Sequence, residues 1–170
     1  MLTLSKLKPE DYHHLWQIGF TETNPEWKKW DAPYFDDYQP LSFEKFQQMR
    51  MLSSENVRGI YVNGEVIGIV SRYWENEATR WLSIGIVIYN PNYWQHGYGT
   101  TALKLWITDT FATYPTLARV GLVTWSGNER MMKAATRIGM QLEGRIRKVR
   151  YYNGYYYDSM QYGVLREEWQ

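Results

Sequence analysis

The sequence predicts an α+β fold: a mixed, mostly antiparallel sheet that contains one parallel β-α-β crossover and is flanked by helices. Three observations predict it. Two Asn-Gly pairs, Asn63-Gly64 and Asn153-Gly154, each separate two strand-like runs, as tight hairpins do. Between those hairpins the apolar run SIGIVIY, the loop NPNYWQHGYGT and the apolar-periodic run ALKLWITDTF follow one another, which reads as strand, loop and helix. A further strand-like run, RVGLVTW, comes after that helix, so the helix is a crossover between parallel strands.

The elements follow in order. Pro9, with Tyr12, Leu15, Trp16 and Gly19 at helical spacing, predicts a first helix over about 9–20. Residues 21–40 form a long aromatic and acidic connection, of a length that in compact domains tends to carry function. Ser42 then opens a second helix whose Phe43, Phe46 and Met49 share a face. VRGIYV and EVIGIVSRYW form the first hairpin, a strand spans 80–89, a helix runs to about 113, and a strand covers 119–125. Ser126 and Glu129 have capping-box spacing for the next helix, which Gly139 closes. The second hairpin pairs QLEGRIRKVRYY with YYYDSMQYGVL, giving the order β-α-α-β-β-β-α-β-α-β-β.

The loop before the crossover helix has a chemistry of its own. A Gly-x-Gly turn at Gly97 and Gly99, feeding a helix at its N-terminal end, leaves backbone N–H groups without intrahelical partners or side-chain cover. With the positive end of the helix dipole behind it, such a turn seats a phosphate or pyrophosphate. A nucleoside-triphosphate loop would need Lys followed by Ser or Thr after its last glycine, and here Thr100 and Thr101 follow Gly99 with no lysine before Lys104. Gly97, Gly99 and Ala102 formally match a dinucleotide fingerprint, but NPNYW separates them from the strand and the next strand ends in Trp125 and Ser126 without the acidic ribose ligand. A turn that merely lets the helix start is the remaining reading.

Composition excludes several classes. At 170 residues the chain fits one domain, 1–170, able to bury roughly 70% of its extended-chain surface. The absence of cysteine removes disulfides, thiolate metal sites and a cysteine nucleophile, and the other potential ligands are too scattered for a metal site. The first residues, MLTLSKLKPEDYHH, lack a signal-peptide layout, and no apolar run approaches the ~18 residues of a membrane span, so a cytoplasmic location with no membrane partner is expected. Nineteen basic against eighteen acidic residues give no electrostatic case for a nucleic-acid partner. The basic run from Arg145 to Arg150 reads as a solvated strand face. Aromatic residues make up 17% of the chain, enough for a ring-lined pocket and for a homodimer interface.

Taken together, WQHGYGTTAL, TWSGNERMMKAATRIGM and LEGRIRKVRYYNGYYYDSMQYGVL resemble a GNAT-superfamily N-acetyltransferase, closest to the RimJ/RimL-type branch, over about residues 2–168. The resemblance implies the acyl-CoA N-acyltransferase fold and acetyl-CoA as cosubstrate, with no metal. It implies that the loop Trp94, Gln95, His96, Gly97, Tyr98, Gly99 and Thr100 holds the pyrophosphate through the amides of Gln95, Gly97, Gly99 and Thr100. It also implies that Ile86, Val87 and Ile88 offer free backbone to the pantetheine arm, and that Asn128 bonds the pantetheine or its thioester end. Asn is also a favoured helix cap, and Trp94, where the broader family carries Arg or Gln, reads as a packing residue.

The resemblance implies that the acceptor is an amine, on a small molecule or a protein N-terminus. Acyl transfer to it needs a neutral amine, a donor to the developing oxyanion and a proton for the leaving thiolate. A backbone N–H near Ile86 would serve the oxyanion. The proton groups that the resemblance leads one to expect are missing: Ala135 stands in place of a tyrosine, Met131 of a serine, and Arg150 and Ser83 of glutamates. No catalytic residue is therefore assigned. An ordered water or a carboxylate of the 21–40 connection (Glu22, Glu26, Asp31 or Asp37) would take the amine proton, with Trp27, Trp30 and Tyr34 as walls. The alternative is a non-catalytic acyl-CoA-binding sensor. With His13, His14 and His96 all remote in sequence from Ser126, no acyl-serine triad is legible, so transfer is expected to be direct, in a ternary complex. Arg150 in place of a carboxylate would disfavour a protein N-terminus or favour an acidic acceptor.

Overall fold

The computed structural model describes residues 1–169. Its strands are β1 (Leu2–Ser5), β2 (Val57–Val62), β3 (Glu65–Asn76), β4 (Trp81–Ile88), β5 (Arg119–Trp125), β6 (Gln141–Tyr152) and β7 (Tyr155–Leu165). The helices are α1 (Tyr12–Gly19), α2 (Phe43–Phe46), α3 (Tyr98–Thr113) and α4 (Glu129–Arg137). One sheet holds all seven strands in the order β1-β2-β3-β4-β5-β7-β6, and β4–β5 is its parallel pair. Both Asn-Gly pairs form hairpin turns with positive φ at both residues, as that turn type requires. The order matches the sequence expectation.

Two apolar layers sandwich the sheet. On the back, Leu103, Trp106, Ile107 and Phe111 of α3 pack on Ile60, Val70, Leu82, Ile84 and Val120. On the front, Leu15 of α1 and Phe46 of α2 pack on Val57, Tyr61, Val66 and Ile69. The faces of β3 switch within the strand: Val66 and Ile69 point forward while Ile67 and Val70 point back. A register shift opposite Ile60 and Tyr61 leaves Ile67 as the extra residue of a bulge, which reverses the alternation. Gly68 follows it, where a Cβ would lie 2.1 Å from the Val87 carbonyl oxygen, so only glycine admits β4 there. Arg72 locks α3 to β3: buried, it donates to Asp109 (2.8 Å) and Thr110 (3.1 Å) and stacks 4.2 Å from the Trp106 ring.

Two expectations need correction. The second helix spans only four residues, and Met49 lies beyond it in extended geometry, as the N-cap of a 3-10 turn at Arg50–Leu52. The cap of α4 is Asn128, whose Oδ1 accepts from the Met131 N–H at 3.2 Å. Ser126 instead accepts from the Asp158 N–H at 2.9 Å and ties α4's entrance to β7, so its capping-box spacing with Glu129 is coincidental.

Candidate active site

The parallel pairing of β4 and β5 lasts only from Leu82–Ile84 against Val120–Leu122. Both strands continue, β4 to Ile88 and β5 to Trp125, but they diverge, and the edge of Gly85–Ile88 that faces β5 is left unpaired and half-buried. A cleft of about 490 Å³ occupies the wedge and runs from this edge to Gly97, Gly99 and Thr100 at the start of α3. Ile86, Val87 and Ile88 line it.

The first backbone bond into α3 is Thr101 N–H to Gly97 O at 3.0 Å, so the amides of Tyr98, Gly99 and Thr100 precede the ladder and have no intrahelical acceptor. Gly97 takes the cap position at φ 77°, where glycine is the natural occupant, and Gln95 also has positive φ (65°). Gly99 has no such constraint; a Cβ there would meet only Ile88 Cδ1, at 3.9 Å, and would enter the cleft. The Trp94 indole donates to the Ile88 carbonyl at 2.9 Å, which satisfies the last acceptor of β4 and holds the loop against the strand. Its role is packing and loop geometry, though it lines the cleft. Gln95 also lines it; the side chains of His96 and Tyr98 do not. His96 instead lies 3.1 Å from the Asn92 carbonyl and packs near the Tyr98 ring, so these two residues can serve the seat only through their amides.

The 21–40 connection closes the cleft from the front. It is pinned by the Trp30 carbonyl, which accepts from Trp125 Nε1 (2.8 Å) and from Asn128 Nδ2 (3.2 Å), filling both lone pairs. Asn128 is thus cap and tether before it is anything else, and one amide hydrogen remains for a ligand. Trp27, Trp30, Asp31 and Tyr34 line the cleft. Trp27 is itself anchored by a 2.8 Å bond from Nε1 to the Gly19 carbonyl.

Among the acidic candidates the structure singles out Asp31. The residue is exposed at the mouth of the open cleft, yet the groups around its carboxyl partly desolvate it and push it above the ordinary aspartate value; Lys28 opposes the rise and Asp37 adds to it. Asp37 is spent on Lys28 (2.8 Å), and Glu26 on Lys29 (2.8 Å). Glu22 is exposed outside the cleft, its carbonyl accepting from the Tyr38 hydroxyl. Ser83 is buried in the paired part of the sheet, between Tyr73 of β3 and Gly121 of β5, and does not reach the cleft. Arg150 lies outside it too, on a smaller cavity next door.

Sequence reasoning overlooked Arg130, Lys133 and Arg137, which also line the cleft. Arg130 is stacked 3.7 Å from the Trp94 ring centroid and 4.5 Å from that of Trp30, bridging the glycine loop and the front connection. Desolvation pulls its pKa down, with Glu26 opposing. A signal existed: positions 130, 133 and 137 share one face of a helix. The cleft therefore combines unpaired amides, a helix N-terminus and three basic side chains, an arrangement for a ligand with several phosphate oxygens.

The family description "Acetyltransferase (GNAT) domain" matches residues 1–141. The chain belongs to the GNAT acetyltransferase family. It is 25% identical to the Bacillus subtilis protein named "Putative ribosomal N-acetyltransferase YdaF", over 99% of this chain and 93% of that one. A GNAT-family acetyltransferase of Bacillus anthracis has the same fold (TM-score 0.76, 19% identity, 98% of this chain and 96% of the other). So does spermidine N-acetyltransferase from Vibrio cholerae, solved with CoA and spermine (TM-score 0.74, 18% identity, 99% and 97% covered). The GNAT family is an enzyme family of N-acyl transfer, and the seven-stranded sheet with its single parallel pair is its fold in this chain. Among the described residues no helix is long and apolar enough to cross a membrane, and no group of three or more His, Asp or Glu gathers to hold a metal ion.

Proposed function

We propose that the protein transfers an acetyl group from acetyl-CoA directly to a primary amine, in a complex that holds both reactants. The observation that carries this reading is the continuity of the cleft: an unpaired β4 edge runs straight into unpaired amides at the start of α3. A free strand edge fits an amide-bearing arm that adds as a further strand, and the helix start fits the pyrophosphate at the other end of that arm. Arg130, Lys133 and Arg137 add positive charge along the same wall. Bound acetyl-CoA supplies an activated thioester carbonyl at the inner end of the wedge.

The chain's own residues then do three things. The amides of the unpaired β4 edge near Ile86 donate to the carbonyl oxygen as negative charge grows on it. Asp31, which lines the cleft, accepts the proton that the amine must lose before or as it attacks; as the C–N bond forms the C–S bond breaks, and the CoA thiolate leaves and takes up a proton from Asp31 or from solvent. Trp30, Tyr34 and Trp125 hold the reactants together and exclude water, and such positioning is itself a large part of the acceleration. The test is release of CoA thiol from acetyl-CoA across a panel of amino acids, polyamines, small amines and peptides with free N-termini. Amine-dependent release supports the reading; stabilisation by acetyl-CoA with no release for any amine would make the protein a binding module.

A further inference from the structure

We propose that the acceptor amine also carries a carboxylate, as a small amino acid does, and that Arg150 is the residue that binds it. The proposal rests on the transferase reading above and names the substrate class of that site.

Arg150 follows a break in the β6–β7 register between Ile146 and Arg150, where Lys148 has φ 56°. Its guanidinium lies 4.8 Å from the Tyr34 ring centroid and 5.3 Å from that of Phe35, so it is stacked on the 21–40 connection. As in Arg72 and Arg119, whose guanidiniums are held in ion pairs with Asp109 and Glu143, one guanidinium nitrogen of Arg150, its Nε, is buried with no hydrogen-bond partner. None of the ion pairs among the described residues includes it, whereas Arg145 of the same strand is paired with Asp158. A buried, unpaired guanidinium N–H is costly unless a ligand satisfies it, and stacking holds the planar fork in one orientation, ready for two parallel bonds to a carboxylate.

The surroundings place this fork on the acceptor side. Arg150 lines a second cavity, of about 450 Å³, with Tyr73, Glu75, Val123, Ser159 and Gln161. Val123 also lines the main cleft, and Tyr34, on which Arg150 is stacked, is a wall of it. Tyr34 in turn meets the Trp125 ring at 5.6 Å, so contacts run unbroken from the guanidinium to the end of β5. The basic residues facing the glycine loop belong to α4, in the other cavity, which leaves Arg150 unclaimed by phosphate. Val123 lines both cavities, so a carboxylate held at Arg150 leaves the amine of the same small molecule free to extend into the main cleft. A polyamine would bring cations against Arg150 with nothing to pair it.

The test compares amino acids with their amides as acceptors, by CoA release, in the wild type, Arg150→Met and Arg150→Lys. The wild type is expected to prefer the acid, and Arg150→Met to lower the acid-over-amide ratio of kcat/KM by about 10- to 150-fold, the value of a charge-assisted bond. Arg150→Lys, a point charge without the fork, should fall between. Melting temperature and its rise with acetyl-CoA, measured on each variant, confirm that the fold and the cosubstrate site survive. A second readout is binding: amino acids should further stabilise the wild type saturated with CoA, and Arg150→Met much less. Equal use of acid and amide by the wild type, an unchanged ratio in the variants, or transfer confined to polyamines or peptides overturns the inference while the transferase reading stands. No release with any amine and no stabilisation by acetyl-CoA overturns both.

Discussion

Gly99→Val separates the anion seat from the fold. Gly99 has ordinary backbone geometry, and its Cβ would meet only Ile88 Cδ1 at 3.9 Å, so the unliganded protein should fold with little loss. The same Cβ and its two methyls stand in the cleft over the amides of the first turn. Acetyl-CoA at ~100 times its dissociation constant stabilises the wild type by about 2.7 kcal/mol. With the unfolding entropy of about 0.36 kcal/mol/K expected for a chain of this length, the melting temperature rises by about 7 °C. Each N–H bond to a phosphate oxygen that the valine covers removes about 1.5–3 kcal/mol. With two covered, the rise at the same ligand concentration falls to about 1 °C or less. The assay is thermal unfolding followed by fluorescence of the native tryptophans, with NADH and ATP as controls that should stabilise the wild type much less. Gly97→Ala is the complementary variant: its φ of 77° strains any other residue by about 1–2 kcal/mol, so its melting temperature should fall without ligand. A folded Gly99→Val that keeps the full shift with acetyl-CoA, or a wild type stabilised equally by NADH, would refute the reasoning.

Asp31→Asn should lower kcat by about 10²–10⁴ and abolish the acidic limb of the pH–rate profile, which lies above the ordinary aspartate range because the carboxyl is desolvated. Its effect on stability has the opposite sign: a folded pKa raised above the unfolded one favours folding at low pH and loses that contribution as pH rises through the folded value. Because the residue is exposed and screened by solvent, the asparagine variant should melt no lower than wild type at neutral pH, any gain being small and closing below the ordinary aspartate range. Asn128→Ala removes a helix cap of about 1 kcal/mol and one of the two donors to Trp30; its melting temperature should drop by about 3 °C and KM for the amine should rise as the front connection loosens. Intact-protein mass spectrometry after incubation with acetyl-CoA alone should show no acetyl adduct that an amine later removes.

The fold was legible because local signals and topology agreed: two Asn-Gly turns fix two hairpins, and a strand, a glycine loop and a helix fix the crossover. The unpaired amides at the start of α3 were legible for the same reason, since glycines before a helix act through the backbone. What the sequence left open depends on contacts between distant segments. Ser126 and Asn128 both suit a cap, and only the position of Asp158, 32 residues on, assigns Ser126 to β7. Four carboxylates of the 21–40 connection looked equivalent until Lys28 and Lys29 claimed two, Glu22 turned outward, and the tether at Trp30 carried Asp31 into the cleft. Ser83, a candidate because the resemblance leads one to expect a glutamate at its position, is shut inside the sheet because the splay begins just beyond it. Arg130 was missed because its stacking partners, Trp30 and Trp94, lie 100 and 36 positions away.

Initial rates of CoA thiol release, measured while acetyl-CoA and an accepted amine are both varied, test the central claim most directly. Direct transfer within one cleft predicts release that depends on both reactants, with double-reciprocal lines that intersect. Parallel lines, which require an acetylated enzyme, or release that is indifferent to the amine, would contradict it.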